Sequence, residues 1–405
     1  MEGKRFIHKI KLQNFLSYGS EGEEIELQPL NVLIGPNGSG KSNLIEAIGL
    51  LQATPGNLTA SIREGGGVSE WLWKGEKGIP TAEIEAIINY PQGIMPLRYK
   101  LGFTMVNQRL DIVDEVVENE HRNNEEAKDV YFFYRYQNGR PILNVRTIPD
   151  GQAGTETGRT QRHLRQEEIS PNQSVLSQKK DLDSYPELYY LSQEFSKLSL
   201  YRYWQMGRHS EPRKSQPTDL PLHPLLEDGS NLGLVLKALQ RKLGQRKLIE
   251  YLEKFYEEAE ELDVSIYGGT VQIFIREKGL IQPIPATRLS DGTLRYLFLM
   301  ALLLDPTPPP LICIEEPELG LHPDILPTIA ELLIEASQRT QLIVTTHSDA
   351  LVSALSEYPG SVVVCKRDET GSHLHRLEPD KLKNWLENYT LGDLWRMGEI
   401  GGNRW

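Results

Sequence analysis

Short alternations of apolar and polar residues open the chain, in "FIHKIKLQNFLSYG" and again in "EEIELQPLNVLIG", with glycine and proline between them. That period and punctuation predict strands joined by turns. The spacing then changes. In "KSNLIEAIGLLQ", Leu44, Ile45, Ile48 and Leu51 fall on one face at helical spacing, which predicts an amphipathic helix. After Pro55 comes a glycine-rich connection, "REGGG", and then the strand patterns "TAEIEAIINY" and "LRYKLGFTMV". The stretch Gly151 to Lys180 is polar and poor in large apolar residues, and predicts a mobile loop. Beyond it, "YPELYYLSQEFSKLSLYRYW" and "NLGLVLKALQRKLGQRKLIEYLEKFYEEAEEL" read as helices and "DVSIYGGTVQIFIREKG" as a strand pair. The last third alternates strand and helix through "PLICIEE", "DILPTIAELLIEASQ", "QLIVTTHS", "DALVSALSE" and "SVVVCKR". Alternation of this kind implies a parallel sheet covered by helices.

Length and charge narrow the picture. A chain of 405 residues exceeds what one core usually serves, so more than one lobe is expected. Three segments follow from the pattern: residues 1–150, 151–280 with the polar stretch and a helical insertion, and 281–405. Asp plus Glu outnumber Lys plus Arg by 56 to 44, a net charge of -12, which argues against coating nucleic acid through the overall field. Local basic runs remain candidates for DNA contact: "RTQRHLR" (Arg159 to Arg165), "RYWQMGRHSEPRK" and "KALQRKLGQRK". Cys313 and Cys365 lie inside β-branched apolar runs and read as buried strand residues rather than a disulfide. With no signal-peptide pattern and no apolar run of bilayer length, a cytoplasmic protein without a membrane partner is expected.

Three separated stretches carry candidate chemistry. "GPNGSGKS", from Gly35 through Pro36, Asn37, Gly38, Ser39, Gly40 and Lys41 to Ser42, fits G-x-x-x-x-G-K-[ST]. It follows the apolar strand "NVLI" and opens a helix with Asn43, which is the context that motif requires. Glycines let backbone N–H groups turn inward around phosphates, and the helix start favours the anion. Lys41 is placed to bridge the β- and γ-phosphates and Ser42 to hold Mg²⁺. In "LICIEEPELGLHP", Glu315 and Glu316 follow four apolar residues, at the edge of a parallel sheet where ligands bind. Adjacent residues of a strand point to opposite sides, so Glu315 is expected in the metal shell and Glu316 as the group that orients and polarises water. His347, ending "QLIVTTHS", would reach the γ-phosphate from the same edge.

The third stretch is "LSDGTLRYL". Ser290 and Thr293 can satisfy the first free N–H groups of the helix that follows, and Gly292 leaves room beside them. Arg288 and Arg295 flank Ser290–Thr293, one suited to charge stabilisation and the other equally to a structural ion pair.

In this order, these motifs make the chain similar to ABC-type ATPases of the RecF/SMC-like branch. It resembles the stand-alone ATPases of the AAA_21 type, relatives of the ATPase halves of OLD-family nucleases. The likeness extends to "NQSVLSQKKDLDSYPELYYL", "VTTHSDALVSAL" and "LGDLWRMGEIGGNRW", and so to most of the chain. The resemblance implies an α/β ABC-type ATPase head: a mixed or parallel phosphate-loop sheet with flanking helices, an antiparallel β subdomain and a helical lobe carrying the signature, with no long coiled coil. It implies ATP and Mg²⁺, and two heads that sandwich two ATP molecules between the phosphate loop of one and the signature of the other. Ser290, Asp291, Gly292 and Thr293 then form the signature acting in trans, His322 holds the D-loop position, His347 the switch position, and a glutamine completes the metal shell. Gln178 and Gln173 are the candidates. "SDGT" departs from S-G-G-Q, Glu315 stands where Asp is commoner, and His322 replaces an aspartate, so slow turnover is expected. Short of a D-x-D after His347, the chain is not expected to act as a nuclease, and a separate nuclease or other effector is expected to do so. The functions implied are an ATP-driven switch or clamp in DNA maintenance or anti-phage defence, or a slow regulatory module on a partner nuclease.

Overall fold

The computed structural model describes residues 2–122, 129–137, 139–147, 158–203 and 205–402. A six-stranded sheet is its spine, in the order Ser199–Tyr201, Leu311–Glu315, Gln341–Thr345, Leu30–Ile34, Val362–Arg367, Ser372–Arg376. The first five strands run parallel and the last pairs antiparallel, so the sheet is mixed. Its side chains alternate between two cores. Leu30, Val32, Ile312, Ile314, Leu342, Val344, Val362 and Val364 face one, while Leu33, Leu311, Cys313, Ile343, Val363 and Cys365 face the other. Sheets covered on both faces need continuous apolar strands, which explains runs such as "LICI" and "SVVV". Both cysteines are buried and free.

The second of those cores is capped by an eight-stranded antiparallel sheet built from Ile7–Gln13, Glu23–Glu26, Ala82–Ile88, Leu97–Val106, Arg109–Asn119, Phe132–Gln137, Arg140–Thr147 and Gly158–His163. Gln341 joins the two sheets, accepting from the N–H groups of Phe6 and Ile7 and donating to the Ile7 carbonyl. The polar stretch does not behave as one loop. Residues 151–157 lie outside the described ones, but Gly158–His163 is an edge strand and Val175–Gln178 a helical turn capped by Ser174. The buried carboxylate of Glu115 fixes that turn, accepting from Ser174 Oγ, Tyr99 Oη and the Val175 N–H.

Against the other core lie the helices Leu232–Leu243 and Gln245–Phe255, which break at Gly244, and the hairpin Ala259–Tyr267 with Thr270–Glu277. They surround the helix Asp291–Leu303, buried along nearly its whole length. Neither helix before the hairpin is long enough for a coiled-coil arm, as expected.

Candidate functional site

The phosphate loop joins the strand Leu30–Ile34 to the helix Lys41–Ala53. Gly35, Gly38 and Gly40 take positive φ values of 144°, 79° and 100°, which side chains resist. At Gly35 a Cβ would also meet the Cys365 carbonyl oxygen at 2.3 Å. Around the loop, Tyr18 Oη donates to the Gly40 carbonyl and Asn43 donates to Ser17 Oγ. Asn43 therefore anchors the loop rather than pointing at a ligand. Asn37, Gly38 and Ser42 are open to solvent, while Lys41 is buried and donates to the carbonyls of Gly35 and Pro36 at 2.7 and 3.0 Å. Burial lowers the Lys41 pKa, and Glu316 and Glu315 oppose that shift. Among the described residues, Ser39 Oγ is buried without a hydrogen-bond partner. An ammonium folded onto carbonyls and a buried hydroxyl with no partner among the described residues, in a loop of positive-φ glycines, fit a polyphosphate anion.

Glu315 and Glu316 end the strand Leu311–Glu315 beside this loop. Ser42 Oγ donates to Glu315 Oε2 at 3.2 Å, so the hydroxyl and carboxylate that would hold Mg²⁺ already meet. Burial raises the Glu315 pKa, opposed by the charge of Arg202 and the Ser42 hydrogen bond. Glu316 leaves the strand with φ 47°, a left-handed backbone rare for a side-chain-bearing residue, and its N–H bonds the Thr345 carbonyl. That turn carries its carboxylate to 3.7 Å from His347 Nε2. Burial and then the Lys41 charge lower the His347 pKa, with Glu316 acting oppositely. A neutral imidazole at neutral pH can donate from one ring nitrogen and accept at the other.

The metal-shell glutamines require correction. Gln173 bonds Leu58 N–H, Asn57 and Thr59, and Gln178 bonds Ser170 and the Gln173 carbonyl. Those partners lie past the far end of the helix Lys41–Ala53, whose length at 1.5 Å per residue is about 18 Å. Neither glutamine comes to Ser42. Besides Lys41, Arg202 reaches the acidic edge, directly after the strand Ser199–Tyr201, which runs parallel to Leu311–Glu315. Its guanidinium bonds Glu46 at 2.7 Å on the same helix as Ser42. Gln205 follows from the same strand end, on a backbone turn to Tyr203. A strand of only three residues behind a helix gave little periodicity to find either residue by.

The signature lies elsewhere. Ser290 Oγ accepts from the Thr293 N–H and caps the helix. Asp291 pairs with the buried Arg213, and Gly292 faces Gly320, whose carbonyl oxygen would lie 3.1 Å from a Cβ there. Ser290 and Asp291 are exposed, as is Arg288. Arg295 is buried, with Glu318 and Asp291 as its charge neighbours, and burial lowers its pKa to about 10. His322 is exposed and caps the turn Pro323–Ile325, accepting from the Asp324 N–H. Glu318 carries no local signal in the sequence that sets it apart from its acidic neighbours. Its Oε1 accepts from Thr346 Oγ1 at 2.6 Å and from the His347 N–H at 2.9 Å.

Several cations of the basic runs are held in ion pairs. Arg159 pairs with Glu187, Arg162 with Glu168, Arg202 with Glu46 and Arg213 with Asp291. In the run Lys237 to Lys247, Arg246 pairs with Glu250, and Arg241, Lys242 and Lys247 are exposed. Among the described residues no helix is long and apolar enough to cross a membrane.

Comparison with known proteins agrees with the geometry. The family model AAA_21, described as "AAA domain, putative AbiEii toxin, Type IV TA system", matches residues 30–353. A chromosome partition protein Smc of Desulfitobacterium hafniense is 32% identical over 99 residues, 24% of this chain and 8% of that protein. A DNA replication and repair protein RecF of Chloroflexus aggregans is 33% identical over 108 residues, 26% of this chain and 25% of that protein. This chain thus spans a quarter or less of those relatives. Among solved structures, an Smc head bound to the C-winged helix domain of ScpA matches with a TM-score of 0.53 at 16% identity, covering 94% of this chain and 100% of that one. An Smc head with an extended coiled coil, bound to the C-terminal domain of ScpA from Pyrococcus furiosus, matches with a TM-score of 0.51 at 17% identity, covering 94% and 98%. At such identities the likeness is one of fold. With its phosphate loop, acidic strand end and histidine strand on one sheet edge, the chain belongs to the AAA_21 family.

Proposed function

We propose that the chain binds ATP with Mg²⁺ and hydrolyses it slowly, between two copies that close head to head. The convergence of Lys41, Ser42, Glu315, Glu316 and His347 on one edge carries this reading. Lys41 turns from the Gly35 and Pro36 carbonyls to the phosphates, and Ser42 with Glu315 holds Mg²⁺. The ion supplies charge neutralisation along the phosphate chain. Glu316 orients and polarises the attacking water, and His347 hydrogen-bonds the γ-phosphate. Ser290 and Gly292 of the other copy close the site, which the helix start there and the exposure of Ser290 suit. ATP is then the adhesive between heads and hydrolysis the release step, a switch or clamp suited to DNA maintenance or anti-phage defence with a separate effector. Light scattering of the Glu316→Gln variant tests it. A dimer with ATP and Mg²⁺ that is a monomer without nucleotide is expected, and an ATP-insensitive monomer would refute the reading.

A further inference from the structure

We infer that Glu318 is a positioning residue for hydrolysis, holding His347 from behind and linking it to the start of the signature helix. This rests on the proposed reading of His347. The loop after Leu311–Glu315 touches three parts of the site within five residues. Glu316 sits 3.7 Å from the His347 ring, Glu318 Oε1 accepts from Thr346 Oγ1 and the His347 N–H, and Gly320 packs against Gly292. The loop is stiffened internally, since Leu319 and Leu321 donate to the carbonyls of Glu316 and Glu318. Two donors converge on one Glu318 oxygen, while Oε2 is buried without a hydrogen-bond partner among the described residues.

A buried carboxylate is costly to keep unless its charge is used. Here the acceptor holds the Thr346 hydroxyl and the His347 backbone N–H, so the imidazole projects from a fixed point. Arg295 of the signature helix is a charge neighbour of Glu318. A shift of the helix start, as when Ser290 and Gly292 engage the other copy's nucleotide, therefore reaches this chain's own His347 through Gly320 and Glu318. The link is a short, packed and hydrogen-bonded one.

Glu318→Ala is the test, with Glu318→Gln as rescue, since an amide oxygen can accept from both donors. The Ala variant is expected to lose about tenfold or more in kcat while its ATP Kd stays within about threefold. The Gln variant should recover most of that loss. Thr346→Val, isosteric and lacking one of the two donors, should repeat the effect at smaller size and guards against poor folding of the Ala variant. A kcat within about twofold of wild type in the Ala variant, or a Kd that rises as far as kcat falls, would overturn the inference. In histidine-labelled NMR, the His347 signal, identified by its loss in His347→Ala, should move in the Ala variant and return in the Gln variant. An unmoved signal would overturn the inference. Should the wild type show no Lys41-dependent hydrolysis, the proposed function fails, while the NMR signal still decides on Glu318.

Discussion

The phosphate loop and the signature are held in opposite ways. The loop is fixed from all sides: Gly35 against Cys365, Gly40 bonded by Tyr18, Asn43 tied to Ser17, and Ser42 already on Glu315. The signature is a helix start satisfied locally, with Ser290 capping Thr293 and both Ser290 and Asp291 facing solvent. In the proposed dimer that difference follows from the order of events. The half that binds nucleotide first must be preformed, because ordering it on binding would cost affinity. The half that arrives with the other copy must be left open.

The largest effects should come from breaking the preformed half. Gly35→Ala sets a Cβ 2.3 Å from a backbone oxygen, so the loop must move. We expect ATP binding to be lost in calorimetry and stability to fall by about 2 kcal/mol in denaturant titration. Ser290→Arg should behave differently, leaving ATP binding by the monomer unchanged while hydrolysis falls about 100-fold or more, read by phosphate release. Equal losses of binding in the two variants would erase the contrast. Glu316→Gln should lower turnover by about 100-fold or more with binding retained.

Smaller effects refine the picture. Glu316 holds φ 47°, so Glu316→Gly should relieve backbone strain and raise stability by about 1 kcal/mol in urea titration while abolishing hydrolysis. A loss of stability would contradict the strain. The smallest effect is a pH dependence. Burial raises the Glu315 pKa, so as pH falls the carboxylate takes up its proton earlier than an exposed one would, and in the proposed site it is the deprotonated form that would hold Mg²⁺. In Ser290→Arg, where only the preformed half binds, the Mg²⁺-dependent part of ATP affinity should weaken about severalfold from neutral to mildly acid pH, and Glu315→Gln should flatten that dependence.

The same contrast governs how much could be read from the chain. The phosphate loop and the acidic strand end are local devices, a strand followed at once by the reacting groups, so "NVLIGPNGSGKS" and "LICIEE" carry their meaning in a short window. What failed depended on distant partners. Gln173 and Gln178 lie in the expected segment, but contacts with Asn57, Leu58 and Ser170 hold them at the wrong end of a helix. Arg202 acquires its place only because three residues dock beside Leu311–Glu315. The strands Arg140–Thr147 and Gly158–His163 were hidden by charge, which the fold absorbs through pairs such as Arg159 with Glu187. Glu318 looked like one acid among several and is distinguished only by the strand end it grips.

The central claim is that each complete site is shared between two copies, and mixing two inactive variants tests it most directly. Lys41→Ala lacks a working phosphate loop and Ser290→Arg a working signature, so each alone should be nearly inactive. In an equimolar mixture half of the dimers are mixed and each holds one intact site of two, so phosphate release should recover to about a quarter of the wild-type rate. A mixture no more active than its components would contradict the shared site.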